Sequence, residues 1–455
     1  MTTRIAISDP LPGHRTAEPV RFTVDGALPH PLHIAHTASG DPVLCQRLNH
    51  QSDQRSTTFV AVLDLDGEQT LELGGPLDSG SPEAEGIRTL TPTEEDGFVR
   101  LDTGYFDLEL CTGTAMGTGA SKWGLRHFSA HYEGIDLLPS GNNAIGGFYG
   151  PFFTPENGLI NPPEHSVVSI EAVEAGPVLH HYRLHGTIPD GLIDDLKGKS
   201  YAIDWIFTLG TPYFERRYVV DDFQTVINGR SITNKITVGD EFEGGPGELV
   251  FDRFASESGT WYRAGDPYAM KLADEVEEVI GTASGQQDRS QKFEEFRRQL
   301  GSGMESAHWD LYWRLFSAWE RALPEDEITT RLAQVRRSAH VLADAPDRPW
   351  VLDTRPVDVS SVPDETIFTG PVQKSVEFST TKDRAMIWWT GRPSGAFQIV
   401  QRKQSGWVNW GSNGENECPE LPVGVPIKTA YGPFTQTWEG IADQLATPVT
   451  VTVGQ

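Results

Sequence analysis

Between Lys122 and His165 the chain gathers side chains that can move protons, hold charge and stack on a ring. The stretch contains Lys122, Trp123, Arg126, His127, His131, Tyr132, Glu133, Asp136, Asn142, Asn143, Tyr149, Glu156, Glu164 and His165, set among glycines that permit close approach of backbone to a ligand. Two chemistries fit these types. Elimination next to a carboxylate needs a cation or amide on the carboxylate, a base for the neighbouring proton and an acid for the leaving oxygen. His127, His131, Tyr132 and Tyr149 are candidates for the proton transfers. Lys122, Arg126, Asn142, Asn143 and His165 could bind the substrate, with Trp123 as a stacking surface. Hydrolysis of an acetal instead needs two carboxyls roughly 5–10 Å apart. Glu133 and Glu156 are the candidates here, and Asp136, Glu164, Glu215 and Asp221 are eligible. Taken singly, each of these side chains could equally be a loop residue hydrogen-bonded to backbone.

Other constellations say less. His181, Arg183 and His185 alternate onto one face of a strand, but a cationic arginine between two histidines argues against a metal and for a solvated sheet face. Arg216 and Arg217 are adjacent, so only one can face a cleft; Arg217 is taken as a further substrate-binding candidate. No Gly-x-Gly-x-x-Gly lies between a strand and a helix, and neither a phosphate-binding loop nor Gly-x-Ser-x-Gly occurs. Cys45, Cys111 and Cys418 are too far apart for a disulfide framework or a structural zinc site. No cofactor and no metal are expected.

The elements that must position the candidates are strands. Residues 1–95 form an N-terminal β region whose alternating pieces end in Asp-Gly or Gly-Gly turns, with Gly74 to Gly86 as a surface linker. A central β-sandwich follows over 96–265. In it, FVRLDTGYFDLEL turns at Asp102-Thr103-Gly104, and YAIDWIFTLG puts Ile203, Trp205, Phe207 and Leu209 on one face. Alternation fades over 112–165, which predicts a long functional loop. Helical spacing is confined to an insertion at 266–345, where Trp309, Tyr312, Trp313, Phe316 and Trp319 form a packing stripe. Residues 346–455 return to β. There Trp388, Trp389, Trp407 and Trp410 stand among glycine-rich turns and could form the platform of a non-catalytic binding protein. The fold class expected is mostly β: a large antiparallel β-sandwich with a short helical insertion.

The pieces DTGYFDLEL, EAVEAGPVLHHYRLHG and IDWIFTLGTPYFERRYVVDD resemble the non-toroidal part of exo-acting rhamnogalacturonan-lyase-like proteins. More widely, they resemble the β-supersandwiches of galactose-mutarotase-like carbohydrate enzymes. The resemblance covers about residues 98–240 and rests on strand rhythm. It implies a supersandwich and sugar chemistry, and it transfers no catalytic residue. The lyases are longer and carry an α/α toroid, for which the helical piece here is too short.

Composition agrees with many short strands and turns: 46 Gly and 31 Pro in 455 residues, with 12 Trp. A net charge of −27 repels nucleic acid and anionic membranes alike. The first residues lack the apolar core of a secretory signal, and no apolar run approaches the ~18 residues of a membrane span. The expectation is a cytoplasmic enzyme, alone or as a homo-oligomer, that cleaves a small oligosaccharide. Elimination, hydrolysis and plain carbohydrate binding all stand as alternatives.

Overall fold

The computed structural model describes residues 3–77, 87–95, 97–111, 124–139, 143–149, 167–187, 198–220, 224–227, 230–233, 237–257, 350–352, 365–379, 381–402, 405–411 and 423–454, with scattered positions between 277 and 292. The described residues are mostly strand, arranged in antiparallel sheets, as composition and alternation predict. The expected helical insertion, including the stripe from Trp309 to Trp319, lies almost wholly outside them. No helix among them is long and apolar enough to cross a membrane, which says nothing about strands.

The first six strands are β1 (Thr3–Ser8), β2 (His14–Asp25), β3 (Leu32–Thr37), β4 (Pro42–Arg47), β5 (Ser56–Asp66) and β6 (Glu68–Pro76). β6 runs through Gly74 and Gly75 to Pro76, so the expected linker begins later than the glycines suggest. Next come β7 (Thr93–Glu95), β8 (Phe98–Asp102), β9 (Phe106–Cys111) and β10 (Leu125–Ala130), which make a four-stranded sheet in the order β10-β9-β8-β7. The turn between β8 and β9 forms where expected. Gly104 takes a positive φ of 82°, and its N–H donates to Asp102 Oδ1 at 2.6 Å.

The large twelve-stranded sheet draws on β11 (Ala144–Tyr149), β12 (Val167–Ala175), β13 (Leu179–Thr187), β14 (Ser200–Thr208) and β15 (Tyr213–Val220). A separate ribbon, β16 (Gln224–Ile227) with β17 (Arg230–Thr233), interrupts the series. The same large sheet then takes in β18 (Thr237–Glu243), β19 (Arg253–Glu257), β20 (Trp350–Leu352), β21 (Glu365–Ser379), β22 (Arg384–Arg402), β23 (Trp407–Gly411) and β24 (Ile427–Gly432). Helix α1 (Trp438–Ala446) was not expected from the sequence; it buries Ala442 and Leu445 against Val376, Phe378 and Ile387. The final strand, β25 (Thr450–Gly454), leaves the large sheet and pairs with β1, completing a seven-stranded N-terminal sheet.

β10 and β11 fall inside the stretch expected to be a long loop. Each carries a register shift against its partner, between Leu125 and His127 and between Ala144 and Gly147. Such bulges erase the alternation by which a strand is recognised.

The four-stranded sheet packs face to face on the large one. Leu108, Leu110, Leu125 and Phe128 meet Ile203, Trp205, Phe207 and Phe214 in the main core, and Leu209 packs at its edge as the alternation of β14 predicts. The N-terminal sheet docks on the opposite side of the large sheet. Its Leu44, Leu48 and Val60 cover Val178 and Leu179. Gln46 fixes this contact by accepting the Val178 and Leu179 N–H groups at 2.9 and 2.8 Å and donating to the Leu179 carbonyl at 3.0 Å.

A buried polar network crosses the main core. Arg216 and Asp240, both fully buried, pair through two bonds of 2.6 and 2.7 Å. Asp240 also accepts from Trp388 Nε1 at 2.6 Å and from the Gly146 N–H at 2.6 Å. Nearby, Glu377 is fully buried and neither carboxyl oxygen has a hydrogen-bond partner. Burial, reinforced by Asp240, pushes its carboxyl far above the usual range, so the group is held protonated.

Candidate functional site

The turn after β10 organises a place where predicted side chains converge with others. The Glu133 and Gly134 N–H groups both donate to the Ala130 carbonyl, at 2.9 and 3.3 Å, and Gly134 takes the positive φ of 61° that lets the chain reverse. The His131 N–H reaches the Tyr105 carbonyl at 3.0 Å, tying this turn to the β8–β9 turn. The result sends Tyr132 out and Glu133 in: Tyr132 is 46% exposed, whereas the Glu133 side chain is 3% exposed.

Two residues from distant strands, with Tyr105 from the β8–β9 turn, complete the cluster. Arg384, the first residue of β22, donates to Glu133 through Nε. The Tyr431 hydroxyl, from β24, donates to the other Glu133 oxygen at 2.7 Å. The Arg384 guanidinium sits 4.8 Å from the centre of the Tyr132 ring, a cation–π distance. Tyr105 meets the Tyr132 ring edge to face at 5.9 Å, and the two phenols are hydrogen-bonded. Gly432 makes room for this arrangement, since a Cβ there would lie 2.4 Å from the Tyr105 hydroxyl.

Burial raises all three phenols, Tyr105 to about 12 and Tyr132 and Tyr431 further. They keep their protons at neutral pH and act as donors, not bases. Beside them, His131 Nε2 lies 2.5 Å from Asp102 Oδ1. Burial works against the Asp102 charge, but the Gly104 N–H and His131 hold its carboxyl below the usual range. The rim therefore presents an exposed aromatic face and the exposed Asp102–His131 pair, above a buried carboxyl held by Arg384 and Tyr431.

The other predicted residues lie elsewhere. Arg126 is paired with Glu109 at 2.7 Å and covers the Phe98 ring at 3.5 Å. His127 is paired with Asp136 at 3.1 Å, and that carboxylate raises the imidazole above its ordinary value. Asn143 works on backbone, accepting from the Glu243 N–H at 2.8 Å and donating to the Pro139 carbonyl at 3.1 Å. Arg217 projects from the outer face of the large sheet, 3.4 Å from Glu215, while its neighbour Arg216 turns inward to Asp240. Lys122, Trp123, Asn142, Glu156 and His165 lie outside the described residues, and of Tyr149 only the backbone is described, within β11.

The histidines on the outer face of β13 are partners of carboxylates, whereas His180 turns inward to the Tyr182 hydroxyl at 2.9 Å. His181 and Arg183 share Asp204, at 2.9 and 2.7 Å, and His185 meets Glu171 at 3.2 Å. No group of three potential metal ligands occurs among the described residues. The tryptophan platform is corrected at two of its four positions; Trp389 is half-buried beside Lys428, and half-buried Trp407 has its Nε1 3.4 Å from Glu241. Trp388 and Trp410 are buried and stacked at 4.8 Å in the core, with Trp410 Nε1 donating to Ser375 at 2.7 Å. They stabilise the sandwich and present no face to a ligand.

Tyr105, Arg384 and Tyr431 were absent from the candidates read in the sequence. Tyr105 follows a turn glycine and Tyr431 precedes one, but nothing local marks either as a partner of residue 133.

No family model matches the chain, and no curated protein matches it. Among solved structures it is similar to an alpha-mannosidase from Enterococcus faecalis V583, with 9% identity and a TM-score of 0.46, over 100% of this chain and 46% of that one. It is also similar to a protein of glycosyl hydrolase family 38 from Enterococcus faecalis, with 8% identity and a TM-score of 0.43, over 100% of this chain and 47% of that one. The chain thus spans just under half the length of these structures.

Proposed function

We propose that the chain is a carbohydrate-active enzyme that hydrolyses a glycosidic bond of a small oligosaccharide at the Tyr132–Glu133 turn. The observation that carries this reading is a buried carboxyl, Glu133, gripped by Arg384 and Tyr431 directly beside the half-exposed ring of Tyr132. An aromatic face takes the apolar face of a pyranose, and fixed donors around it orient the ring hydroxyls. In this reading Tyr132 is the platform, and Arg384 with the Tyr105–Tyr132 phenol pair holds the sugar. Glu133 and Asp102 are the two carboxyls required on either side of an acetal. Protonated phenols favour hydrolysis over elimination, because they cannot serve as the base that removes a carbon-bound proton.

One observation supports elimination as a second reading. The His131–Asp102 pair at 2.5 Å has the form of an oriented base, and Arg384 could neutralise a uronate. The two separate cleanly when the chain is incubated with neutral and uronate-containing oligosaccharides. New reducing ends without ultraviolet absorbance support hydrolysis. New reducing ends with the chromophore of a conjugated double bond support elimination. No cleavage of any oligosaccharide in the panel would remove both and leave saccharide binding to be tested alone.

A further inference from the structure

A concavity lies away from the Tyr132–Glu133 turn, where the N-terminal sheet meets the outer face of the large sheet. It encloses about 280 Å³. Its polar lining comes from both bodies: Glu18 and Arg21 from β2, Tyr213 and Glu215 from β15, and Lys428 from β24. Ile206, Val449 and Val451 supply apolar wall.

The chain takes pains to put Glu18 there. β2 carries a register shift against β5 between Arg15 and Glu18, and within it Ala17 adopts a φ of 50°, which residues with a Cβ rarely accept. The bulge is pinned from two sides: the Ala17 N–H donates to Asp64 at 2.8 Å, and the Thr211 hydroxyl donates to the Ala17 carbonyl at 2.8 Å. The outcome is a carboxyl that is 7% exposed and 3.6 Å from Arg15, whose own short bonds, 2.6 and 2.7 Å, go to Asp9. Burial pushes the Glu18 carboxyl up.

Across the cleft, Lys428 lies 5.5 Å from the Tyr213 ring and 5.2 Å from the Trp389 ring, and donates to the Leu445 carbonyl at 3.0 Å. It is paired in register with Glu215. Burial pushes its ammonium down despite the two glutamates. Strained backbone, a buried carboxyl and a half-buried amine facing one cavity are what a preorganised site looks like, and packing alone requires none of them.

We infer that this intersheet cleft binds a neutral polyol the size of a single pyranose. Two carboxyl-bearing and two cationic residues line it, so a ligand of either net charge meets a like-charged group. A polyol both donates and accepts, and so satisfies the two kinds of group at once. The apolar wall suits the carbon face of a sugar ring, and the volume is on the scale of a single ring. The cleft shares no residue with the Tyr132–Glu133 cluster, so the inference stands or falls apart from the proposed hydrolysis.

The test is calorimetric titration of the full chain with D-glucose, D-galactose, D-mannose and L-rhamnose, with ethylammonium and acetate as charged controls of opposite sign. At least one neutral sugar is expected to bind saturably. Glu18→Ala and Lys428→Met should each weaken that binding about tenfold or more, as loss of a charged or buried hydrogen-bonding group does. Val449→Trp, which fills the cleft and leaves its charges in place, should abolish it even if Lys428→Met fails to fold. Glu133→Gln should leave it within about twofold. The inference is overturned if no neutral sugar binds, if only the charged controls bind, or if binding survives the cleft variants. Binding lost in Glu133→Gln and kept in Val449→Trp would place the sugar at the turn, supporting the proposed function while removing this one.

Discussion

The Tyr431 hydroxyl donates to Glu133 across 2.7 Å, although 298 positions separate the two residues in the chain. Arg384 approaches the same carboxylate from the neighbouring strand. One buried carboxyl therefore ties the four-stranded sheet to the large one at the rim where Tyr132 stands exposed.

That tie leads to the first expectation. Glu133→Gln keeps the size of the side chain and removes its charge, so cleavage of the best oligosaccharide should fall by a factor of about 10² or more. Tyr132→Ala should mainly raise KM, because it removes a stacking surface and no proton-transfer group. Steady-state kinetics on both variants separates the roles. Equal loss of kcat in both would mean that the turn is merely structural.

The Arg216–Asp240 pair carries a prediction about stability. Asp240→Ala strands a fully buried guanidinium and removes the acceptor of Trp388 Nε1 and of the Gly146 N–H. The expected loss is about 3–5 kcal/mol, read from the midpoint of urea unfolding.

Glu377 should make stability depend on pH in a direction opposite to most acids. Its folded-state carboxyl lies above the ordinary value near 4.5, so the folded chain binds a proton that the unfolded chain has released. The contribution is fully present below the unfolded value and is lost as pH rises through and beyond it. Glu377→Gln needs no proton, so its melting temperature relative to the parent should climb between pH 5 and pH 8. A difference that is flat with pH would show that the parent carboxyl is already ionised in the fold.

Two glycines with positive φ should respond unequally to alanine. At Gly146, with φ of 83°, a Cβ would lie 2.6 Å from the Trp205 ring; at Gly67, with φ of 75°, it would meet nothing within 4 Å. Gly67→Ala should cost about 1 kcal/mol, the backbone penalty alone. Gly146→Ala adds a clash with a fully buried indole and should cost roughly 2–4 kcal/mol. Near-ultraviolet circular dichroism should change in the second variant only, because only there must Trp205 move.

The strand content and the inward faces of β9, β13 and β14 were legible because a half-buried strand writes its burial into every second residue. β10 and β11 were not, because a bulge in each shifts that period at Arg126 and at Ile145-Gly146. α1 was missed for a related reason: nine residues containing Gly440 carry too little periodic signal to stand out between strands. At the candidate site, Tyr132 and Glu133 could be picked out by type and glycine-rich context. Arg384 and Tyr431 could not, since their role depends on which strands become neighbours, and pairing over hundreds of residues leaves no mark in either segment. The buried tryptophans misled in the same way, because an indole in a glycine-rich strand looks alike whether the facing sheet covers it or not.

The union of β25 with β1 has a bearing on how the chain assembles. Ile5 lies opposite Val453, and Val449, Val451 and Val453 pack against the N-terminal core. As the polypeptide emerges from the ribosome, the open flank of β1 must wait until β25 has been synthesised far along the chain. A chain stalled before residue 450 would present a sticky, sheet-forming border to its neighbours, and chaperone demand should be greatest in that interval.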